Sequence, residues 1–341
     1  MDVTVIWSAI VALGVFMYVV LDGFGLGVGI VFPLFRDAHD RDLMMRTLAP
    51  IPGGNGSWHV PGGAALLATL FAVLFTLLPA GYAAVLHPLA VPLAAMLACL
   101  ILRGIAFGIR AKEARTTALR DFAFIGGSAG AALFQGIALG AFMQGLPVAG
   151  GHPAAGAFAW LAPFPVLSGL VLIATYALLG SCWLVARTGG DLQRRLHRLV
   201  WPLTMALLAF VVLVTVWTPL KEAAVAGHWF DARFFWPLAP VPLLVIACAY
   251  WMHLAVRARH HDTPYLAALG LVALGYLGLL VSVWPYAIAQ GVAQQAAASA
   301  ATHSSPLFAL AGASITLAYA TMGYRFVRSN ARDDDTRRYR L

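Results

Sequence analysis

Apolar residues gather into nine stretches of roughly 20 residues or more, separated by shorter segments that hold most of the charged side chains. The stretches run at about 4–32, 58–84, 88–110, 118–146, 156–186, 199–219, 236–256, 264–287 and 306–327. An α-helix rising 1.5 Å per residue crosses the hydrocarbon core of a bilayer in about 20 residues, so each stretch predicts a transmembrane helix. Barrel strands need only about ten residues of alternating polarity, and these lengths therefore predict helices. Residues 85–88 leave so short a connection that the second and third spans are expected to be antiparallel neighbours. The Ala- and Gln-rich segment 289–301 predicts a short surface helix before the last span.

Composition agrees with the pattern. Of 341 residues, 61% are hydrophobic and 11% charged, whereas about a quarter are charged in an ordinary soluble domain. The fold class expected is an all-α polytopic membrane protein. Alternate loops carry Arg36, Arg41 and Arg46; Arg110, Lys112, Arg115 and Arg120; Arg187, Arg194, Arg195 and Arg198; Arg257 and Arg259; and a tail from Arg325 to Arg340. The intervening loops hold Lys221 and Arg233. Basic loops stay in the cytoplasm, so the N-terminus is expected outside and the C-terminus, with the basic tail 328–341, inside. The net charge of +8 is accounted for by topology and attraction to anionic membrane lipid, with no nucleic-acid partner required. Residues 1–3 lack the basic start of a cleavable signal peptide, and none is expected.

Against this background Asp22 stands out, a carboxylate inside the first apolar stretch. Ionisable groups at bilayer depth are costly and are usually paired or wetted at functional sites. The alternative is a structural aspartate that ties the first span to a neighbouring cation. Asp22 lies ten residues before Phe32, roughly 15 Å from the cytoplasmic edge at 1.5 Å per residue. Arg103 lies seven residues before Arg110, roughly 10 Å from the same edge. The two are therefore within about one turn in depth and can form an ion pair, unless Arg103 snorkels to the interface. Gly23, Gly25, Gly27 and Gly29 lower helix propensity but let a neighbouring helix approach closely.

Other polar groups carry weaker signals. Gln135 and Gln144 are expected to hydrogen-bond between helices, and Ser128 with Gly126 and Gly127 to pack. Cys99, Cys182 and Cys248 fall singly in three spans and read as small buried side chains. His59 and His253 lie near predicted helix ends with no second ligand at helical spacing, so no metal site is expected. From these residues alone a proton path, a secondary transporter or a haem-free membrane scaffold all fit. A transporter more often shows paired broken helices at the midplane, and no convincing pair is evident.

Five ordered motifs narrow the choice. The first span carries DGFGLGVGIVFP and the third RGIAFGIR, while the fourth reads FIGGSAGAALFQGIALGAFMQG. The run FAWLAPFPVLSGLVLIATYALLGSCWLVARTGGDLQRR follows, and the eighth span ends in SVWPYAIA. Over nearly its whole length the chain resembles subunit II of the cytochrome bd-type quinol oxidases, including the cyanide-insensitive branch.

That resemblance implies one subunit of a heteromeric respiratory complex in the bacterial cytoplasmic membrane. Such complexes oxidise quinol on the outer side, reduce dioxygen to water and take protons from the cytoplasm. Two haem b and one haem d are implied in the partner, subunit I. The chain itself is implied to fold as two four-helix bundles, residues 1–146 and 156–287, plus a peripheral helix at 306–327. A small accessory subunit, and a structural quinone or lipid in this subunit, stay open. The resemblance assigns proton conduction to Asp22, with Arg103 as its electrostatic partner and Asn55 as a further path candidate. Trp58, Gln135 and Gln144 are carried over as packing or interface candidates.

The chain departs from the family at four positions. PIPGGNGSW stands where the family has P-x-W-D-G-N-E-x-W, which leaves Asn55 and Trp58 but puts Gly53 and Gly56 at acidic positions. Gly108 replaces the acid usual in the third-span motif, and Gly25 the second aspartate sometimes present in the first. The expected proton path is accordingly shortened, rerouted through subunit I, or inactive.

Overall fold

The computed structural model describes residues 3–48, 87–110, 117–144, 148–149, 152–153, 159–221 and 239–283. Eight α-helices occur among them: α1 (Val3–Val31), α2 (Ala38–Arg46), α3 (His87–Arg110), α4 (Thr117–Gln144), α5 (Pro163–Arg187), α6 (Gly190–Lys221), α7 (Pro240–Arg257) and α8 (Thr263–Val283). All but α2 are long and apolar enough to cross a membrane, and the chain is a helical polytopic membrane protein. Residues 148–149 and 152–153 add one small antiparallel pair. The expected spans at 58–84 and 306–327, the 85–86 part of the short connection, the 289–301 segment and the 328–341 tail lie outside the described residues.

Helix boundaries follow local chemistry more closely than hydropathy does. The fifth span begins at Pro163, seven residues after the apolar run starts at 156, because a 3-10 turn (Ala159–Leu161) precedes it and proline favours the first helical turn. At its other end the Thr188 Oγ1 donates to the Leu184 carbonyl at 2.7 Å. Helix α6 starts at Gly190, well before the apolar run at 199. Leu192, Leu196 and Val200, one turn apart, are buried and hold this polar segment against the protein. Gly190 has φ +68°, which suits glycine at the sharp α5–α6 junction. The short α2 is capped by Asp37, whose carboxylate accepts from the His39 backbone N–H at 3.3 Å, and it buries Met44 and Met45.

Helix α5 sits at the centre, against α1, α4, α6 and α8. Helices α5, α6, α7 and α8 each touch the next, and α8 returns to α5. On the other side α4 packs against both α1 and α3. Glycines set how closely these helices cross. Gly27 of α1 and Gly180 of α5 meet backbone to backbone, and a Cβ on either would collide with main-chain atoms of the other helix. Gly136 of α4 is similarly close to Gly169 of α5, where an added Cβ would lie 2.6 Å from the Gly169 Cα and the Ser168 carbonyl. Apolar spans gain nothing from burial away from lipid, so van der Waals contact of this kind is what holds them together. Trp183 anchors the centre, stacked on Phe24 at 4.3 Å between ring centroids and edge-on to Tyr265 at 5.5 Å.

Candidate functional site

Asp22 and Arg103 form an ion pair inside the protein. Arg103 Nη1 donates to Asp22 Oδ1 at 3.0 Å, and the two side chains are 6% and 7% exposed. Their burial rules out the snorkelling alternative for Arg103. The four glycines of α1 divide by face. Gly23 and Gly27 lie against Tyr176 and α5, whereas Gly25 faces Arg103, with a Cβ there only 2.6 Å from Nη2, and Gly29 faces Ser128 of α4. Gly127 brings α4 against α3, where its Cβ would lie 2.7 Å from the Cys99 carbonyl and 2.9 Å from the Arg103 backbone nitrogen. Gly126 instead meets nothing within 4 Å and does not pack as expected.

Around the pair lies a polar cluster. Tyr176 of α5 donates through its hydroxyl to Gln135 Oε1 at 2.9 Å, which joins α5 to α4. Asp22 acts electrostatically on both Tyr176 and Tyr18, the latter one turn earlier on α1. The Tyr18 hydroxyl lies beside Asp22, and Arg103 Nε and Ser128 Oγ are buried without a hydrogen-bond partner among the described residues. Donors and acceptors so placed are where buried water is found. The arrangement can hold a charge at depth and pass a proton between water, carboxylate and hydroxyl.

Gln135 thus makes an interhelical hydrogen bond. Gln144, by contrast, is the exposed last residue of α4, and its side chain makes no hydrogen bond among the described residues. Asn55, Trp58, His59, Gly53 and Gly56 lie outside the described residues. Gly108 lies in the last turn of α3. Cys182 is fully buried, whereas Cys99 and Cys248 are only partly so, and Cys248 Sγ contacts the Ala267 carbonyl at 3.2 Å. His253 lies against Trp201, ring centroids 4.4 Å apart. No group of three or more His, Cys, Asp or Glu side chains placed to hold a metal ion occurs among the described residues.

A second ionic network closes the end of the molecule that carries the basic loops. Arg41 Nη1 pairs with Asp121 Oδ2 at 2.8 Å and its Nε donates to the Phe35 carbonyl at 2.7 Å, which ties α2 to α4. Buried Asp40 pairs with Arg195, which ties α2 to α6. Arg41 and Arg195 also lie over the rings of Phe32 and Phe35. Sequence reading placed these arginines in loops as topology markers and missed their acidic partners, whose separation along the chain leaves no local pattern.

Known proteins share this fold. A bd oxidase chain from Geobacillus thermodenitrificans superposes with a TM-score of 0.78 at 13% identity, over 97% of this chain and 98% of that one, which establishes a common fold. Subunit 2 of the cytochrome bd-I ubiquinol oxidase of Escherichia coli K12 is 30% identical over 220 residues, 62% of this chain and 56% of that protein. A probable cytochrome oxidase subunit 2 from Haemophilus influenzae is 28% identical over 244 residues, 69% of this chain and 62% of the relative. The matched region thus spans little more than half the length of the Escherichia coli relative. Residues 3–327, nearly the whole sequence and including the paired Asp22 and Arg103, match the family model described as cytochrome bd terminal oxidase subunit II, and the chain belongs to that family.

Proposed function

We propose that this chain is the subunit II of a cytochrome bd-type quinol:dioxygen oxidoreductase and acts only with its larger partner, subunit I. The observation that carries the reading is the family match over residues 3–327. In this reading the complex sits in the bacterial cytoplasmic membrane with the basic loops of this chain in the cytoplasm. Two four-helix bundles and a ninth, peripheral helix complete its fold, a division favoured by the way α5 to α8 close on one another.

Haem fits the partner better than this chain. Among the described residues His253 lies against Trp201 and Cys182 is packed in the core, so neither would be free to hold a haem. Two haem b and one haem d bound by subunit I would carry electrons from quinol to dioxygen. The residues here would instead serve proton supply. Asp22 receives a proton from the cytoplasmic side through water, Arg103 holds the carboxylate in place, and the hydroxyls of Tyr18 and Tyr176 border the route. With Gly25 beside Arg103 where a second aspartate would stand, Asp22 is the acid left in this part of the path. Asn55 is proposed as a further member of the path. Trp58 and Gln144 are proposed as interface residues, Gln144 because it is exposed, and Gln135 as a packing residue.

Purification of the chain from its native membrane with whatever co-elutes tests this function. The expected result is a larger subunit, reduced-minus-oxidised bands of haem b and haem d, and quinol-driven oxygen uptake. A purified assembly with no haem and no large partner would instead support a transporter or scaffold.

A further inference from the structure

Helices α6 and α7 carry a feature that the oxidase reading does not use. Trp201 of α6 meets His253 of α7, ring centroids 4.4 Å apart. One turn from that contact, toward the basic end of the molecule, stand His197 and Arg198 on α6 and Arg257 on α7. The α7–α8 turn adds Arg259, His260 and His261. It is held by bonds from the Arg259 backbone N–H to the Val256 carbonyl at 3.2 Å and from the His260 N–H to the Ala255 carbonyl at 3.1 Å. Arg259 has φ +53°, the left-handed conformation of a helix C-terminal cap.

These groups come from separate elements and converge. Gln193 Nε2 on α6 donates to the Val185 carbonyl of α5 at 2.8 Å and contacts His261 Nδ1 at 2.6 Å, which fixes the turn over the start of α6. His197 lies within electrostatic range of both His261 and Arg259, and its Nδ1 is buried with no partner among the described residues. The nearby carboxylates other than Asp262 are committed elsewhere. Asp191 pairs with Arg194 and Arg195, Asp40 pairs with Arg195, and Asp262 is exposed beside His261 at the start of α8. Arg198, Arg257 and Arg259 are exposed, with no carboxylate partner among the described residues.

Below this cationic crown the surface turns apolar. Met205 and Val212 on α6, with Ile246, Tyr250 and Leu254 on α7, are exposed along the two helices. A cluster of cations, then an aromatic pair at interface depth, then an exposed apolar surface is the order of parts in one phospholipid: headgroup, glycerol region and acyl chain.

We infer that the α6–α7 face with the α7–α8 turn is a binding site for one anionic phospholipid of the leaflet at the basic end. Its phosphate lies among Arg198, Arg257 and Arg259, and its chains run along α6 and α7. The site rests on the membrane-spanning reading of these helices but not on the oxidase chemistry. A chain released from membranes by alkaline carbonate would refute that reading separately.

The test uses the complete complex, purified and delipidated in detergent, then titrated with dioleoyl phosphatidylglycerol or dioleoyl phosphatidylcholine. Bound lipids per complex are counted by native mass spectrometry. Wild type is expected to take the anionic lipid at least about tenfold more tightly than the zwitterionic one. The R198Q/R257Q/R259Q variant is expected to lose the preference and the corresponding lysine variant to keep most of it. Millimolar inorganic phosphate is expected not to compete. Equal uptake of the two lipids by wild type, or a preference that survives the glutamine variant, overturns the site; displacement by inorganic phosphate overturns the lipid as its occupant. If the triple variant does not assemble, the wild-type lipid ratio and the single Arg198→Gln variant decide the matter.

Discussion

Arg103 gives one guanidinium nitrogen to Asp22 and keeps its Nε without a protein partner, so the pair is buried yet incompletely satisfied. Removing one member strands the other charge, which in buried pairs costs about 3–5 kcal/mol. Arg103→Leu is therefore expected to lower the thermal stability of the complex by that order, and an unchanged melting temperature would contradict the pairing. Tyr176→Phe removes a single neutral hydrogen bond to Gln135 and is expected to cost about 1 kcal/mol, readable in the same melt. Asp22 and Arg103 were legible in the sequence because a charge interrupts an apolar run and helical rise gives its depth. Tyr18 and Tyr176 were not. An aromatic in an apolar span looks like core until the fold sets its hydroxyl among polar groups.

At the scale of helices, close approach decides which glycines matter. Gly27→Ala puts a methyl against the Tyr176 carbonyl, backbone that cannot rotate away, and forces α1 and α5 apart. Overpacking of this kind typically costs about 1–3 kcal/mol, and loss of assembled complex on size exclusion is the expected sign. Gly126→Ala, whose Cβ meets nothing within 4 Å, is expected to be neutral or to stabilise by up to about 1 kcal/mol through helix propensity. If the two variants melt alike, the close crossing of α1 and α5 is wrong. Composition alone shows a glycine-rich span but not which face each glycine occupies. The early start of α6 was hidden for a related reason: Arg194, Arg195 and Arg198 mask the apolar spacing of Leu192, Leu196 and Val200. Helix α2 escaped notice because it is short and polar, although Asp37 before it is an ordinary cap.

For the whole molecule, hydropathy and alternating basic loops were enough to predict a polytopic helical membrane protein, and motif order was enough to indicate its family. Which helices touch lay beyond the sequence. The centrality of α5 depends on Gly169 and Gly180 meeting glycines of other helices, a matter of three-dimensional register. The ties from Asp40 to Arg195 and from Arg41 to Asp121 link segments far apart in the chain at the basic end. The central proposal joins these scales: the buried Asp22 carboxylate supplies protons for oxygen reduction in a partner subunit. Quinol-driven oxygen uptake by purified complex carrying Asp22→Asn, beside wild type and with haem content measured on the same samples, tests it most directly. The expected result is turnover at least about tenfold slower with haem content retained, as when a positioned proton carrier is lost, although the complex melts lower because Arg103 loses its countercharge; full turnover at normal haem content would contradict the claim.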